Sequence, residues 1–387
     1  MLFRSVRSRG RLWGRAVSRL SIARRAVPVL IASCVVCGVP DRLVQRLDAH
    51  KPVTSKYTYW DDVYPIVKEH CGSCHAPGGI APMSLLTYDA ARPWAESIRL
   101  ELTAGHMPPW FGDPGVAPLK DAHKLSPRDL DVVLTWVSGG TPPGTGKPVP
   151  ETPVRNTWRR GRPDMTFALP ETVTLPAAKS EDTRDFVLQA ANDRDRLIAA
   201  ADVLPGNATI VHDALIYTTG SDGATPNVIA AWVPGLAPAS PGANTGFLWR
   251  AGEQLAVRIH YKKTWKYENK PASDRATVGL YLLKGAGRDV RSLPLPLSGA
   301  VVDQDLQALA VRSADAPSDV DVRIAAVRPD GSRLPIGGFS TRSGWDQRYW
   351  LARPATVPKG TRLDVTTTGA APGALHLWID VVTPPRS

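Results

Sequence analysis

Residues 71 to 75 read Cys71-Gly72-Ser73-Cys74-His75. Two thiols three positions apart can each add across one vinyl group of a single porphyrin. The histidine that follows can then bring an imidazole nitrogen to the iron. This CxxCH spacing is the attachment pattern of a covalent haem c, with Cys71, Cys74 and His75 as candidate binding residues. The competing chemistry is a structural zinc half-site, which needs two further Cys or His ligands at short spacing. The other two cysteines are Cys34 and Cys37. Their CxxC is followed by Gly38, so it is not a second haem motif, and a thioredoxin-like role would need a βαβ context that the surrounding sequence lacks.

A haem iron held by His75 has a second axial position. The chain has four methionines, Met1, Met83, Met107 and Met165. Met107 opens Met107-Pro108-Pro109-Trp110, and two prolines stiffen the loop that would present its sulfur. Met83 lies close behind the haem histidine and reads as a packing residue. Met107 is the leading candidate for the iron, with His106, His123, Met83 and an open position as alternatives. A histidine–methionine pair raises the reduction potential and leaves no vacancy for small molecules, which points to electron transfer.

The elements that must position these groups read as helices. Asp61 to His70 runs into the motif, with Asp62 as N-cap, Pro65 in the first turn and Val63, Ile66 and Val67 as an apolar stripe. A second helix is expected from Tyr88 to Ala104, capped by Thr87. A third begins at Ser126, with Pro127 at its first position and Asp129 in its first turn, and ends at Gly139-Gly140. Three helices around a haem outline a small all-α class I cytochrome c domain, placed at residues 56–144.

The N-terminal 40 residues differ in character. The net charge is +11, but eight arginines precede residue 26 with no acid among them, and removing them leaves +3. The basic excess therefore sits on a leader rather than on a folded surface, which argues against nucleic acid as a partner. The apolar run Ala26 to Val39 is shorter than the roughly 20 residues that span a bilayer. A basic region followed by a short apolar core is the pattern of a secretory signal. Leu30-Ile31-Ala32-Ser33-Cys34 resembles a lipoprotein signal with Cys34 lipidated. Ordinary cleavage nearby and retention as an uncleaved anchor are the alternatives. Residues 1–40 are thus a signal or anchor segment, 41–55 a linker, and the expected location is periplasmic or exported.

After the helices, Thr141 to Pro153 is rich in Pro and Gly and is expected to be extended and semi-rigid, within a linker at 145–162. With 36 prolines and 32 glycines in 387 residues, the chain favours many turns. From residue 163 the pattern alternates. Strands are expected at Thr209–Tyr217, Gln254–Tyr261, Thr277–Leu283, Val320–Val327, Arg362–Thr368 and Leu375–Val382, with a turn at Pro329-Asp330-Gly331. The fold class is therefore multidomain: the all-α cytochrome c domain, then an all-β region of two β-sandwiches at 163–290 and 291–387.

Two resemblances add to this. HCGSCHAPGGIAPMSLLTYDAARPWAESI with the later MPPW looks like the cytochrome c module that precedes a copper-monooxygenase-like region in certain bacterial proteins. The stretches IVHDALIY, AWVPG, LAVRIHY and ALHLWID resemble the copper type II monooxygenases of the peptidylglycine and dopamine β type, which pack two β-sandwiches holding one copper each. That resemblance implies six copper ligands. The family's paired histidines fall at His212-Asp213, its His-x-His at His260-Tyr261-Lys262, and its methionine ligand near His376. The chain thus offers His212, His260 and His376 as copper candidates. A type 2 copper site needs about three good donors, and Lys262 opposes a cation. A sandwich without metals, one residual mononuclear site and a two-copper enzyme all stay open.

Two functions of different class follow. One is an exported c-type cytochrome that carries electrons to or from a redox partner protein, free or in a membrane-associated complex, with the β region used for docking or assembly. The other is a haem-coupled copper monooxygenase that hydroxylates an organic substrate.

Overall fold

The computed structural model describes residues 52–384, apart from 122, 191, 220–225, 315 and 370–374. The segment at 1–40 with Cys34 and Cys37, and most of the linker at 41–55, lie outside the described residues. Among the described residues, no helix is long and apolar enough to cross a membrane.

Among the described residues, the α-helices all precede the strands: a π-turn at Tyr59–Val63, α1 (Tyr64–His70), α2 (Tyr88–Ala91), α3 (Ala95–Thr103) and α4 (Pro127–Ser138), with one short 3-10 turn among the strands at Trp265–Tyr267. The first helical run starts earlier than the sequence suggests, with Thr58 rather than Asp62 at its N-cap. Asp62 instead reaches back and accepts a hydrogen bond from the Thr58 amide at 2.8 Å. Pro65, which has no N–H to donate, follows the widened turn and lies in the first turn of α1, as expected. Thr87 and Ser126 cap as expected, their hydroxyls accepting from the amides of Ala90 at 3.3 Å and Asp129 at 3.1 Å. The expected Tyr88–Ala104 helix is interrupted by a tighter turn at Arg92–Trp94, where Pro93 cannot donate. Tyr59, Val63, Val67, Leu86, Val133 and Trp136 form the core of this region.

The remainder is mostly β. Strands β1 (Met165–Ala168), β2 (Val173–Leu175), β3 (Glu181–Val187), β4 (Arg196–Leu204), β5 (Val211–Thr219), β6 (Asn227–Trp232), β7 (Thr245–Trp249), β8 (Gln254–Lys262), β9 (Ala272–Asp274), β10 (Thr277–Leu282) and β11 (Arg288–Asp289) come first. They form a five-stranded sheet in the order β1-β10-β4-β7-β11, a four-stranded sheet β3-β8-β5-β6 and the small pair β2-β9. Then follow β12 (Arg291–Pro294), β13 (Ala300–Val301), β14 (Leu306–Ala314), β15 (Val320–Val327), β16 (Arg333–Ser340), β17 (Arg348–Val357), β18 (Arg362–Gly369) and β19 (His376–Val382). These make two four-stranded sheets, β12-β19-β14-β17 and β13-β18-β15-β16. The chain passes from one group of sheets to the other between Asp289 and Arg291.

Alternation explains the burial. In β15, Val320, Val322, Ile324 and Ala326 are buried while Asp321 and Arg323 are exposed. Ile198, Val203 and Phe247 from one sheet meet Val211, Val257 and Ile259 from its neighbour in a first core. Leu306, Leu377 and Ile379 meet Val322, Ile324 and Phe339 in a second. The first core also takes in Leu309, Ala310, Trp350 and Val382 from the later strands. A buried cation spans this seam: Arg348 Nε lies 2.7 Å from Asp380 Oδ2, with side-chain exposures of 3% and 0%. The same guanidinium donates to the carbonyls of Ile229 and Val228 on β6, at 2.7 and 2.6 Å.

Two connections depart from the sequence reading. The loop between α3 and α4 is built into the later sheets. Trp110, Ala117 and Leu119 enter the second core, and Gly112 and Leu119 bridge to Phe339 and Leu351. The stretch read as an extended, semi-rigid linker is fastened by hydrogen bonds at both ends. The Pro142 and Pro143 carbonyls accept from the Tyr59 and Trp60 amides, the Val154 amide donates to Pro77, and Asn156 donates to Pro205. Proline lacks a donor but keeps its carbonyl, so a proline-rich segment can still be fastened from its acceptor side.

Candidate functional site

The CxxCH motif sits at the C-terminal end of α1. Its main chain is held locally: Cys71 and Gly72 donate to Val67 at 2.9 and 2.8 Å, and Cys74 and His75 donate to Cys71 at 3.1 and 2.8 Å. Gly79 closes the turn behind the motif, because a Cβ there would lie 2.2 Å from the Cys74 carbonyl oxygen. Cys71 and Cys74 are both free thiols. Burial, with a contribution from Cys74, pushes the Cys71 thiol up to about 12. Burial also raises Cys74, against the Ser73 hydroxyl and the nearby Arg159 cation. Burial lowers His75, against its contact with the Met83 carbonyl.

His75 Nδ1 lies 3.3 Å from the Met83 carbonyl oxygen. A carbonyl only accepts, so Nδ1 carries the proton and Nε2 keeps the lone pair. Two protonated thiols beside one neutral, oriented imidazole fit the donor set that a covalent haem c requires. Among the described residues, neither cysteine nor His75 belongs to a group of three or more ion-ligating side chains, so the zinc alternative finds no further ligands there.

The axial candidates are separated by the fold. Met83 gives its carbonyl to His75, and its side chain packs against the helical core, which puts it on the His75 side. Met107 is 40% exposed, on the loop that leads into the buried Trp110. That loop is pinned just beyond it: Gln347 donates to the Pro109 carbonyl at 3.3 Å, and Trp110 stands edge-on to Tyr349 with ring centroids 5.7 Å apart. His106 is tied to Glu101 at 3.1 Å. His123 is half-buried, and burial lowers its pKa, with Asp121 opposing and His70 reinforcing.

A second cluster lies on the sheet β3-β8-β5-β6. His212 Nδ1 and His260 Nδ1 both donate to Asp213 Oδ2, at 2.8 and 2.9 Å. Together the three residues could hold a metal ion. A register shift makes this possible. Val211 pairs with Tyr261 and Asp213 with His260, so His212 is the extra residue of a β-bulge. In a regular strand, neighbours point to opposite faces. Here Val211 and Ala214 are buried while His212 and Asp213 between them are both half-exposed, beside His260.

Burial works to raise the Asp213 carboxyl, but the two imidazole hydrogen bonds outweigh it and hold it below its ordinary value. The same contact raises His260, against burial. Glu181 stands 3.8 Å from His260 Nε2 and 3.9 Å from the Lys262 ammonium, so the lysine that opposes a cation has a carboxylate of its own. The His212 ring meets Trp345, in the connection between β16 and β17, with ring centroids 5.2 Å apart. His376, the third copper candidate, does not join this group. It is exposed at the start of β19, near Trp378. Asp213 takes its place in the cluster, brought to the same face as its neighbour by the bulge.

The two sites approach each other through a turn after β6. Cys74 Sγ is 3.7 Å from the Pro234 carbonyl oxygen. Beside it, the buried Asp202 accepts from the Trp232 indole at 2.9 Å and from the Arg159 amide at 3.4 Å.

No protein-family model matches the chain, and no curated protein matches it. Among solved structures, PNGase F, a glycosylasparaginase from Flavobacterium meningosepticum, is 6% identical over 55% of this chain and 96% of that one, with a TM-score of 0.27. The PBSX exported protein XepA is 9% identical over 57% and 87%, with a TM-score of 0.16. A variant of oxalate decarboxylase from Bacillus subtilis is 8% identical over 60% and 80%, with a TM-score of 0.14. At such scores none of them carries an argument about fold or activity.

Proposed function

We propose that this protein is an exported c-type cytochrome that transfers electrons through one haem bound covalently at Cys71 and Cys74 and ligated by His75. When bound, that group supplies a one-electron couple at its iron. The observation that carries the reading is the donor set itself: two free thiols on one turn, followed by an imidazole whose Nδ1 is committed to the Met83 carbonyl. The chain's own residues orient that imidazole, and the turn around Gly79 keeps the motif rigid. Met107 is the proposed distal ligand. In this reading the partner is a redox protein, and the periplasm is the location. Anchoring through Cys34 or through an uncleaved N-terminal segment would join it to a membrane-associated complex. The β region serves for docking or assembly, as part of a cytochrome c domain fused to two β-sandwiches.

The test is export of the chain in a host that matures c-type cytochromes, followed by denaturation in organic solvent. Haem that stays with the unfolded chain, and is lost in Cys71→Ala with Cys74→Ala, is the expected result. Haem that extracts freely would refute the proposal. For the distal side, Met107→Ala is expected to abolish the weak near-infrared sulfur–iron absorption, and an unchanged spectrum would assign the position to another residue such as His123.

A second reading is a haem-coupled, copper-dependent monooxygenase that hydroxylates an organic substrate. The cluster of His212, Asp213 and His260 favours it, since two imidazoles and a carboxylate are a competent donor set for a transition metal. Metal analysis separates the readings: about one iron and no copper per purified chain removes the second.

A further inference from the structure

The turn that follows β6 is packed against the haem motif with no room to spare. A Cβ built on Gly235, where φ is +86°, would lie 2.5 Å from Ser73 Cβ and Oγ. Only glycine permits both that backbone conformation and that approach. Next to it, the Pro234 carbonyl oxygen is 3.7 Å from Cys74 Sγ. Two residues earlier, Trp232 sits opposite Ala214 in the β5–β6 ladder. Ala214 adjoins Asp213, whose carboxylate receives both imidazoles. From Pro234 to Asp213, main chain and one ladder step span no more than about 16 Å.

We infer that the Pro234–Gly235 turn is an internal electron path, joining the haem edge at Cys74 to a redox-active transition-metal ion held by the His212, Asp213 and His260 cluster. The inference rests on the haem reading and on the metal reading of the cluster. One electron leaves the ferrous iron, which becomes ferric, and passes from the Cys74 sulfur into the Pro234 main chain. It crosses from Trp232 to Ala214 and reduces the ion by one unit, Cu2+ to Cu+ if the ion is copper. No covalent bond forms or breaks, and an external one-electron donor protein returns the iron to ferrous. Gly235 is a positioning residue in this scheme: it sets the gap between sulfur and carbonyl.

The test uses holoprotein whose haem has been reduced anaerobically and freed of excess reductant. It is mixed with Cu2+ alone or with Zn2+ alone, and the haem absorption is followed in time. With Cu2+, one haem should be oxidised per ion bound, at a rate constant independent of protein concentration. Zn2+ should bind and oxidise nothing. His212→Ala with His260→Ala should remove the phase. Gly235→Ala should slow it several-fold while haem content and the electron paramagnetic resonance of bound Cu2+ stay as in the wild type. If that variant does not fold, the concentration dependence of the wild type still decides. A rate proportional to protein concentration, or a phase that survives loss of both histidines, overturns the internal path alone. A chain without covalent haem, or one that leaves Cu2+ in solution, overturns it together with the reading beneath it.

Discussion

The CxxCH motif and the His212–Asp213–His260 cluster each bring three donor groups together, and they do so in opposite ways. Cys71, Cys74 and His75 are near neighbours in the chain, and the amides of Cys71, Gly72, Cys74 and His75 donate to Val67 and Cys71 close by. The β cluster takes two donors from β5 and one from β8, and it exists because a bulge shifts the register by one residue at His212. A local site survives wherever its helix forms. A site built from register is lost if the strand slips by one position, because every side chain then changes face. The difference predicts which site should tolerate damage elsewhere in the molecule.

The largest effect should come from the motif itself. Cys71→Ala with Cys74→Ala abolishes covalent haem altogether, whereas His212→Ala with His260→Ala leaves haem content unchanged. Haem staining of the denatured chains checks both. Haem loss in the histidine variant would break the contrast. Next in size is the seam. Arg348→Met leaves Asp380 buried without its partner and should cost about 3–5 kcal/mol in denaturant unfolding. Adding Asp380→Leu should recover most of that loss, because the uncompensated charge is then gone. Asp213→Ala removes the acceptor that orients both imidazoles, and metal affinity measured by titration should fall about 10- to 100-fold with haem content intact.

Smaller effects sharpen the comparison. Ser126→Ala deletes the cap of α4 and should cost about 1 kcal/mol, read by thermal or denaturant unfolding. Asp202 tests the junction between the regions. Burial holds its carboxyl above the ordinary 3.8, against the amides of Arg159 and Val203 and the Trp232 indole. The folded state therefore binds that proton more tightly than the unfolded chain does. Its contribution to stability is complete below 3.8 and is lost as pH rises through the folded-state value. Asp202→Asn cannot titrate and should lack this term. The stability difference between variant and wild type should change between neutral pH and pH about 4, and an unchanged difference would rule it out.

What could be read from the sequence follows the same division between local and distant. Thr87 and Ser126 declare their helices because a cap acts on amides two or three residues away. The alternation in 254–262 and 320–327 declares strands because one face of each is core. Asp62 misleads because its carboxylate does bond an amide at the helix start, but from inside the helix and back to Thr58. His212 and His260 were named by resemblance, but the bulge that sets Asp213 between them was hidden, since no local signal marks it. His376 entered by resemblance and stands apart because β19 belongs to the other sheets. The docking of Trp110 and Leu119 into the second core was equally hidden, because a Pro/Gly-rich loop and a buried one share a composition.

That loop sets an order of assembly. The later sheets lack Trp110, Ala117 and Leu119 until the segment between α3 and α4 has closed over them. The helices in turn are fastened by that segment on one side and by 142–156 on the other. A cut between the helices and the strands would leave two incomplete cores rather than two modules. If Cys71 and Cys74 take a covalent group, as proposed, its attachment would precede closure of the β region, because Pro234 and Gly235 lie against Cys74 and Ser73 once the strands are in place.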